Sequence, residues 1–387
     1  MNVIFLSPHF PPQYHLFCAA LKKRGANIIG IADEAFERLG NGAVSSLTEY
    51  YRVDSMESYD SLLRAVAYVT HKYGKVDRLD SHNEYWLEKE AKLRTDFNIP
   101  GIKADKINDI KLKSRMKKLY RAGGIDVAKG KVVTTLPEAK EFLSEAGYPV
   151  VVKPDNGVGA SNTKRINNDG ELEHFFSSNP PNSYFIEEYV FGDTCTFDGL
   201  ADREGNPVFY TSHVYNKGIM EAIQEGDHVY YYSLRSIPAD LVEAGKKTLK
   251  AFGVKERFFH LEYFRTHRDG KLMGLEVNVR PPGGFTTDMF NYATDIDIYG
   301  EWANLIMTGE FKARYTRKYY CCYIGRKACK HYVHSHEDVL RTWGNHVVKD
   351  GAMPSLFAPA MGDTYFIIRS EDMDTMKAML EYIHSTG

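Results

Sequence analysis

The chain has 387 residues, which at roughly 150 residues per domain is enough for two or three packed units. Its 49 basic residues against 51 acidic ones leave a formal charge of −2, excluding a global basic field for nucleic acid or an acidic membrane, so a charged ligand must be met by a local site. The 31 glycines and 15 prolines are ordinary proportions, and the 5 cysteines are odd in number with no C-x-x-C pair, which excludes a collagenous chain, a disulfide framework and a zinc finger.

In chain order, Asn2 to Ser7 reads as a buried strand, followed by a helix carrying Phe17, Ala20 and Leu21 and a strand from Asn27 to Ala32. Residues 56–73 keep helical spacing through Tyr59, Leu62, Leu63, Val66 and Val69, and Val76 to Asp80 fits another strand. This β-α-β rhythm predicts a parallel sheet with crossover helices, so residues 1–100 are expected to form a doubly wound domain. The turn after the first strand, Ser7-Pro8-His9-Phe10-Pro11-Pro12-Gln13, lacks the glycines that let a backbone approach a pyrophosphate. It reads as a structural turn, with an anion at the following helix start as the lesser alternative. The chain nowhere reaches the roughly 18 consecutive apolar residues of a membrane span, and its start lacks the features of a signal peptide, so a soluble cytoplasmic protein is expected.

Pro100-Gly101 closes this region. A helix is predicted from Ile107 to Ala122, strands at Lys131 to Thr134 and Tyr148 to Lys153, and a helix from about Pro137 between them. Tyr184 to Val190, Phe197 to Ala201 and Val208 to Val214 are strand-like, a helix runs from about Ala239 to Phe252, and Phe258 to Thr266 pairs with Leu272 to Val279 as a hairpin. From Phe311 onward strand and helix alternate again.

Three local signals carry chemistry. Val150-Val-Val-Lys153-Pro-Asp-Asn-Gly157-Val-Gly159-Ala160-Ser161 ends an apolar strand in a lysine and a glycine loop, a combination suited to phosphate, although a plain hairpin has the same look. In the hairpin, Glu276 and Asn278 are two apart and share a face, with Glu262 on the partner strand. Three oxygen donors there suit a hard cation such as Mg²⁺, and Arg280 on the same face suits a phosphate or carboxylate. The bland alternative is a solvated polar face with Arg280 neutralising two glutamates. Glu187-Glu188-Tyr-Val190-Phe-Gly192-Asp193 closes a third apolar strand in two acids, as a hinge against an adenine would, or as any strand end does. Lys113 alone reads as one lysine on a basic helix face.

Taken in order, these pieces resemble the ATP-grasp superfamily, and within it the carboxylate–amine ligases, including amino-acid ligases. The likeness rests on Lys113-Ser-Arg-Met116-Lys-Lys-Leu119, Val-Val-Lys153-Pro with its glycine loop, Glu187-Glu-Tyr-Val190-x-Gly192, and Glu262 followed by Glu276-x-Asn278-x-Arg280. It implies an α/β chain with an ATP-grasp fold: a doubly wound domain at 1–100, a first lobe with the lid at 101–186, a second lobe with the metal hairpin at 187–310, and a small C-terminal α/β domain at 311–387. It implies ATP and Mg²⁺ or Mn²⁺ as cofactors. Lys113 and Lys153 would contact phosphates, Gly157, Gly159, Ala160 and Ser161 would form the lid, and Glu187, Glu188 and Val190 would line adenine. Glu262, Glu276 and Asn278 would hold the metal, and Arg280 would stabilise the transferred phosphate. The family places a ribose-binding acid where this chain has Thr194, so Asp193 is the candidate substitute.

The implied reaction is phosphoryl transfer to a carboxylate followed by attack of an amine. The alternatives are a biotin-carboxylase-like enzyme, disfavoured by Pro281-Pro-Gly-Gly after Arg280, an enzyme that stops at the acyl phosphate, and a nucleotide-binding protein without turnover. Arg235 and Tyr232 are candidate substrate contacts, Tyr232 being read also as core and Arg235 also as surface. The partners expected are a small carboxylate and an amine, with neither nucleic acid nor membrane, and the C-terminal region is a candidate for the acceptor side and for homodimerisation. His213, His260, His331, His334 and His336 are read as ordinary core or surface residues before metal ligands, and Cys321-Cys322 as buried strand filling.

Overall fold

Strands β1 (Asn2–Leu6), β2 (Asn27–Ala32), β3 (Glu49–Arg52) and β4 (Arg78–Asp80) form a parallel sheet in the order β3-β2-β1-β4. The reason is visible in β1, where every residue after Asn2 is buried: Ile4 and Leu6 face one apolar cluster with Val66 and Leu79, while Val3 and Phe5 face another with Phe17 and Trp302. Burial on both faces is the mark of a parallel sheet covered by helices. In this computed structural model residues 1–157, 162–178, 182–216, 228–355 and 357–387 are described.

A second sheet, ordered β5-β8-β6-β7, is built from β5 (Gly130–Val133), β6 (Val150–Pro154), β7 (Lys164–Ile166) and β8 (Tyr184–Glu188). The helix Leu136–Ala146 packs against it, started by a capping box between Thr135 and Glu138. The predicted helix from Ile107 to Ala122 is interrupted. Leu112 adopts extended backbone (φ −87°, ψ 119°) and pairs with Asn156, so the chain forms a short turn at Asn108–Lys111 and a separate helix at Lys113–Ala122. The break docks the start of that helix on the loop after β6.

The third sheet holds β9 (Gly192–Ala201), β10 (Pro207–Thr211), β11 (His213–Tyr215), β12 (Val229–Ser233), β13 (Phe258–Thr266), β14 (Leu272–Asn278), β15 (Tyr320–Arg326), β16 (Val347–Ala352) and β17 (Thr364–Ser370). Its order is β14-β13-β9-β11-β12-β15-β17-β16, with β10 also on β9. The strands of residues 311–387 therefore do not make a sheet of their own: β15 pairs with β12 from Val229↔Gly325 to Tyr232↔Cys322 and extends the sheet that carries the metal hairpin. Cys321 and Cys322 are buried on opposite faces of β15, as strand filling. Among the described residues no helix is long and apolar enough to cross a membrane.

Candidate functional site

The hairpin β13–β14 is built by alternation. Leu261, Tyr263 and Val277 are buried with Met116, Tyr120 and Phe197, and this turns the intervening residues the other way. The register sets Glu262 opposite Glu276 and His260 opposite Asn278. Immediately beyond, a bulge moves Tyr263 opposite Gly274, a local irregularity of the kind that re-aims side chains next to functional sites. Gly274 has to be glycine there, because a Cβ would meet the Tyr120 ring at 2.7 Å. That ring lies under the hairpin, and its hydroxyl donates to the Glu276 carbonyl at 3.1 Å.

The two hairpin carboxylates interact strongly. Burial, reinforced by the neighbouring charge of Glu262, pushes the Glu276 carboxyl up to about 7. Glu262 moves the other way: burial opposes its ionisation, but a hydrogen bond with His260 at 3.1 Å and the charges of His260 and Arg280 hold it below the usual carboxylate range. A divalent cation between them would relieve this repulsion. Two carboxylates and the Asn278 amide are an oxygen donor set of the sort Mg²⁺ takes when substrate phosphates complete its shell.

Opposite the hairpin stand three buried lysines. Lys113 Nζ donates to the Gly157 carbonyl at 3.2 Å and lies 3.8 Å from Glu276 Oε1, spanning the gap between the glycine loop and the hairpin. Its start position is fixed by Asp155, whose carbonyl accepts from Lys113 N at 3.0 Å and whose carboxylate accepts from Ser114 N and Oγ at 2.8 Å. Lys153 Nζ donates to Glu187 Oε1 at 2.5 Å, and Lys117 Nζ sits 3.0 Å from Glu187 Oε2. Burial opposes charge on Glu187, yet the two lysines outweigh it and hold the carboxyl down to about 2. Burial likewise lowers Lys117 and Lys113, whereas on Lys153 the pull of burial is exceeded by Glu187 and by the two hairpin acids.

Behind the hairpin runs a second polar layer absent from the sequence expectation. Asp198 on β9 accepts from His213 Nδ1 and from His260 Nδ1, each at 2.6 Å, and His260 passes the contact on to Glu262. Asp198 and His213 are fully buried. Burial opposes charge on both members of the central pair, but mutual attraction wins: Asp198 is held down to about 2 and His260 is pushed up to about 10. The result is a carboxylate–imidazolium–carboxylate chain that fixes the orientation of Glu262.

The first domain reaches the same place from the C-terminal ends of its strands, where open α/β sheets present their loops. After β4, Glu84 accepts from Arg280 Nη2 at 2.7 Å, and after β1, Gln13 Nε2 donates to the Gly284 carbonyl at 2.6 Å. Arg280 also donates to the Pro281 carbonyl at 2.9 Å. Burial opposes its charge, and Glu84 more than restores it.

Lys113, Lys153, Gly157, Glu187, Glu262, Glu276, Asn278 and Arg280 thus occupy one cleft between the second and third sheets. Gly159, Ala160 and Ser161 fall outside the described residues. At the expected hinge the Glu187 carboxylate is held by two lysines, and Glu188 is tied to Lys129, its carboxylate accepting from the Lys129 N–H at 3.0 Å and its own N–H donating to the Lys129 carbonyl at 2.9 Å. Val190 is half-buried, and Asp193 is exposed, with His267 Nε2 at 3.0 Å from its carboxylate. The two expected substrate contacts lie elsewhere. Arg235 is exposed and donates to the Arg317 carbonyl at 3.3 Å and to the Glu371 carbonyl, and Tyr232 packs with the C-terminal cluster around Cys322, on the face of β12 opposite Tyr231. Lys117, Glu84, Asp198 and His260 are the site residues that sequence reasoning missed. Lys117 had a signal, being four residues, one helical turn, after Lys113; His260 shares a strand face with Glu262; Glu84 and Asp198 had none.

The family model of the ATP-grasp domain matches residues 146–288, which contain Lys153, Glu187, Glu262, Glu276, Asn278 and Arg280. The chain carries an ATP-grasp domain. It is similar to the carbamoyl phosphate synthase large chains of Clostridium beijerinckii, 26% identical over 46% of this chain and 17% of that one, and of Agathobacter rectalis, 26% identical over 56% and 20%. The matched segments span about a fifth of the length of those relatives. Among solved structures, the fold around the ATP-grasp domain is similar to an L-amino acid ligase from Bacillus licheniformis, with a TM-score of 0.77 at 16% identity over 98% of this chain and 96% of that one. N5-carboxyaminoimidazole synthetase from Staphylococcus aureus gives 0.72 at 13% identity over 98% and 96%. The biotin carboxylase domain of 2-oxoglutarate carboxylase from Hydrogenobacter thermophilus gives 0.67 at 16% over 100% and 90%, and these likenesses speak to the fold.

Proposed function

We propose that the chain is an ATP-dependent carboxylate–amine ligase that forms an amide or peptide bond through an acyl phosphate and releases ADP and phosphate. The observation that carries this reading is the bridge from Lys113 to both Gly157 and Glu276, which supports lysines that bind phosphate acting across from carboxylates that bind metal. Mg²⁺, or Mn²⁺, fits Glu262, Glu276 and Asn278, and when bound it supplies charge neutralisation for the phosphates. Lys113 and Lys153 hold phosphate oxygens, and Lys153 arrives pre-oriented because Glu187 fixes its ammonium. The backbone of Glu187 to Val190 contacts the adenine, and Asp193, beside the exposed edge, contacts the ribose. Arg280, braced by Glu84, meets the negative charge that builds between the transferred phosphate and the acid. The enzyme's task is then to position two anions and an amine and to exclude water from the acyl phosphate.

The test is ADP release from Mg²⁺-ATP with pooled amino acids and small carboxylates, with product masses read in parallel. ADP that requires both an acid and an amine, with a condensed product, supports the ligase. ADP formed with bicarbonate or an acid alone supports instead a carboxylase or an acyl-phosphate-forming enzyme, and nucleotide binding without ADP overturns the assignment of turnover.

A further inference from the structure

A cavity apart from the cleft opens on another side of the first sheet. It measures about 760 Å³ and is enclosed by three segments: the end of the first sheet at Arg78 and Asp80, the connection from Pro100 to Ile110, and the turn from Lys250 to Arg257. None of the lysines, carboxylates or the arginine of the ATP cleft lines it. Its volume falls within the roughly 300–1,000 Å³ of small-molecule sites.

The charge on its wall is unbalanced in a specific way. Eight lining residues are Lys or Arg and four are Asp or Glu. Arg94 and Arg257, at the back, are satisfied: Arg94 Nη2 lies 2.8 Å from Asp80 and 2.6 Å from Glu90, and Arg257 lies 3.0 Å from Asp80 and 3.4 Å from Glu90. Arg78 and Arg203 must share one carboxylate, that of Glu256, at 2.8 Å and 3.4 Å. Asp109 is drawn to Arg115, 3.5 Å away. Lys106, Lys250 and Lys255 have no carboxylate within ion-pair distance among the described residues. Phe252, Ile102 and Leu119 supply an apolar wall beside these cations. Like charges held around a concave surface with low-dielectric walls focus a positive potential into it, and an anion with an apolar body is the ligand that answers both features.

We propose that this cavity is a second ligand site, for a small organic polyanion that carries two or more phosphate or carboxylate groups and is gripped by Lys106, Lys250 and Lys255 with Arg78 and Arg203. It is separate from the ATP cleft in every residue that binds. Its back wall nevertheless touches the metal hairpin, because Arg257 Nε donates at 3.0 Å to the carbonyl of Val279, the neighbour of Arg280.

The experiment is calorimetric titration of the full chain, in magnesium-free buffer at low ionic strength, with inorganic pyrophosphate and separately with citrate. The same titrations are run on the triple variant Lys106→Gln, Lys250→Gln, Lys255→Gln, whose substitutions fall on exposed side chains, and both proteins are titrated with ADP. Any binding of the probes in the ATP cleft is common to the two proteins, so the difference between them reports the cavity. Weakening of at least one probe by tenfold or more in the variant, with ADP affinity unchanged, is the expected result, and the probe that responds distinguishes phosphate from carboxylate ligands. Equal affinities in both proteins, no binding of either probe, or a parallel loss of ADP affinity would each overturn the proposal.

Discussion

Two networks of buried charge lie a few residues apart in this protein, and they are built to different rules. Behind the first sheet, Arg94 and Arg257 meet Asp80 and Glu90, two cations with two carboxylates, and the spare guanidinium hydrogens go to the Leu79 and Val279 carbonyls. In the ATP-grasp cleft, Glu276 faces Glu262 across the hairpin and its carboxyl rises to about 7, while Lys113 is lowered by burial with Glu276 still 3.8 Å away. The closed network is a structural solution; the open one keeps like charges together, the arrangement that the proposed metal and phosphates would relieve. Unrelieved charge inside a satisfied frame is the physical signature of a binding site.

Removing one charge from each network separates them most sharply. Glu276→Gln is expected to lower ATP turnover by more than about 100-fold, beyond the 10–100-fold typical of an outer-sphere partner of a metal ligand, while leaving the thermal midpoint unchanged or raised because a repulsion disappears. ADP release and thermal unfolding measured on the same preparation check both halves. Arg94→Ala, in the closed network, is expected to cost about 3–5 kcal/mol of stability by stranding buried carboxylates, with ATP affinity preserved in the folded fraction. Denaturant unfolding together with calorimetry reads this out.

Glu187 belongs to the cleft but is matched by Lys117 and Lys153, so it tests whether matching or location decides. Its carboxyl is held down to about 2 from an ordinary 4.5, chiefly against burial and by those two lysines, so its contribution to stability is present above pH 4.5 and is lost as the pH falls from there toward 2. The free energy of unfolding measured against pH should fall across that window in the wild-type chain, and Glu187→Gln should flatten the fall. Gly274→Ala asks the packing counterpart of the question: a methyl 2.7 Å from the Tyr120 ring should cost about 1–3 kcal/mol by overpacking, visible as a lower denaturation midpoint. The smallest effect is expected at the rim, where Asp193→Ala should raise the KM for ATP only a few-fold, since an exposed charge is worth about 0–1 kcal/mol.

The two networks also differ in how far they could be read beforehand. The shared face of Glu262, Glu276 and Asn278 was legible because a strand's period of two decides which side chains face together, and the strand that ends in Lys153 because its apolar run is local. Elements with strong periodicity came through with their ends intact, as with the helix at Ala239–Phe252 and the strand Phe258–Thr266. Glu84 is separated from Arg280 by 196 positions, and nothing local to Ser81-His82-Asn83-Glu84 announces that contact. The closed network escaped in part for the same reason: Asp80, Glu90 and Arg94 share one short stretch, but Arg257 meets Glu90 across 167 positions. Leu112 was assigned to a helix because its spacing suits one; its pairing with Asn156, a tertiary contact, overrode that preference. Arg235 and Tyr232 were placed near the substrate by neighbourhood in sequence, whereas alternation along β12 sends Tyr232 to the far face.

The pairing of β12 with β15 carries a consequence for biosynthesis. The sheet that presents Glu262 and Glu276 is closed on one flank by strands that leave the ribosome only after nearly a hundred further residues beyond β12 have been made. Until Tyr320–Arg326 emerges, Val229–Ser233 and its run of tyrosines stand as an open, apolar edge of the kind that recruits other chains. A nascent chain stalled before residue 320 would expose that edge with the hairpin residues already synthesised. Premature termination in this protein should therefore yield aggregates and not a soluble, shortened nucleotide binder.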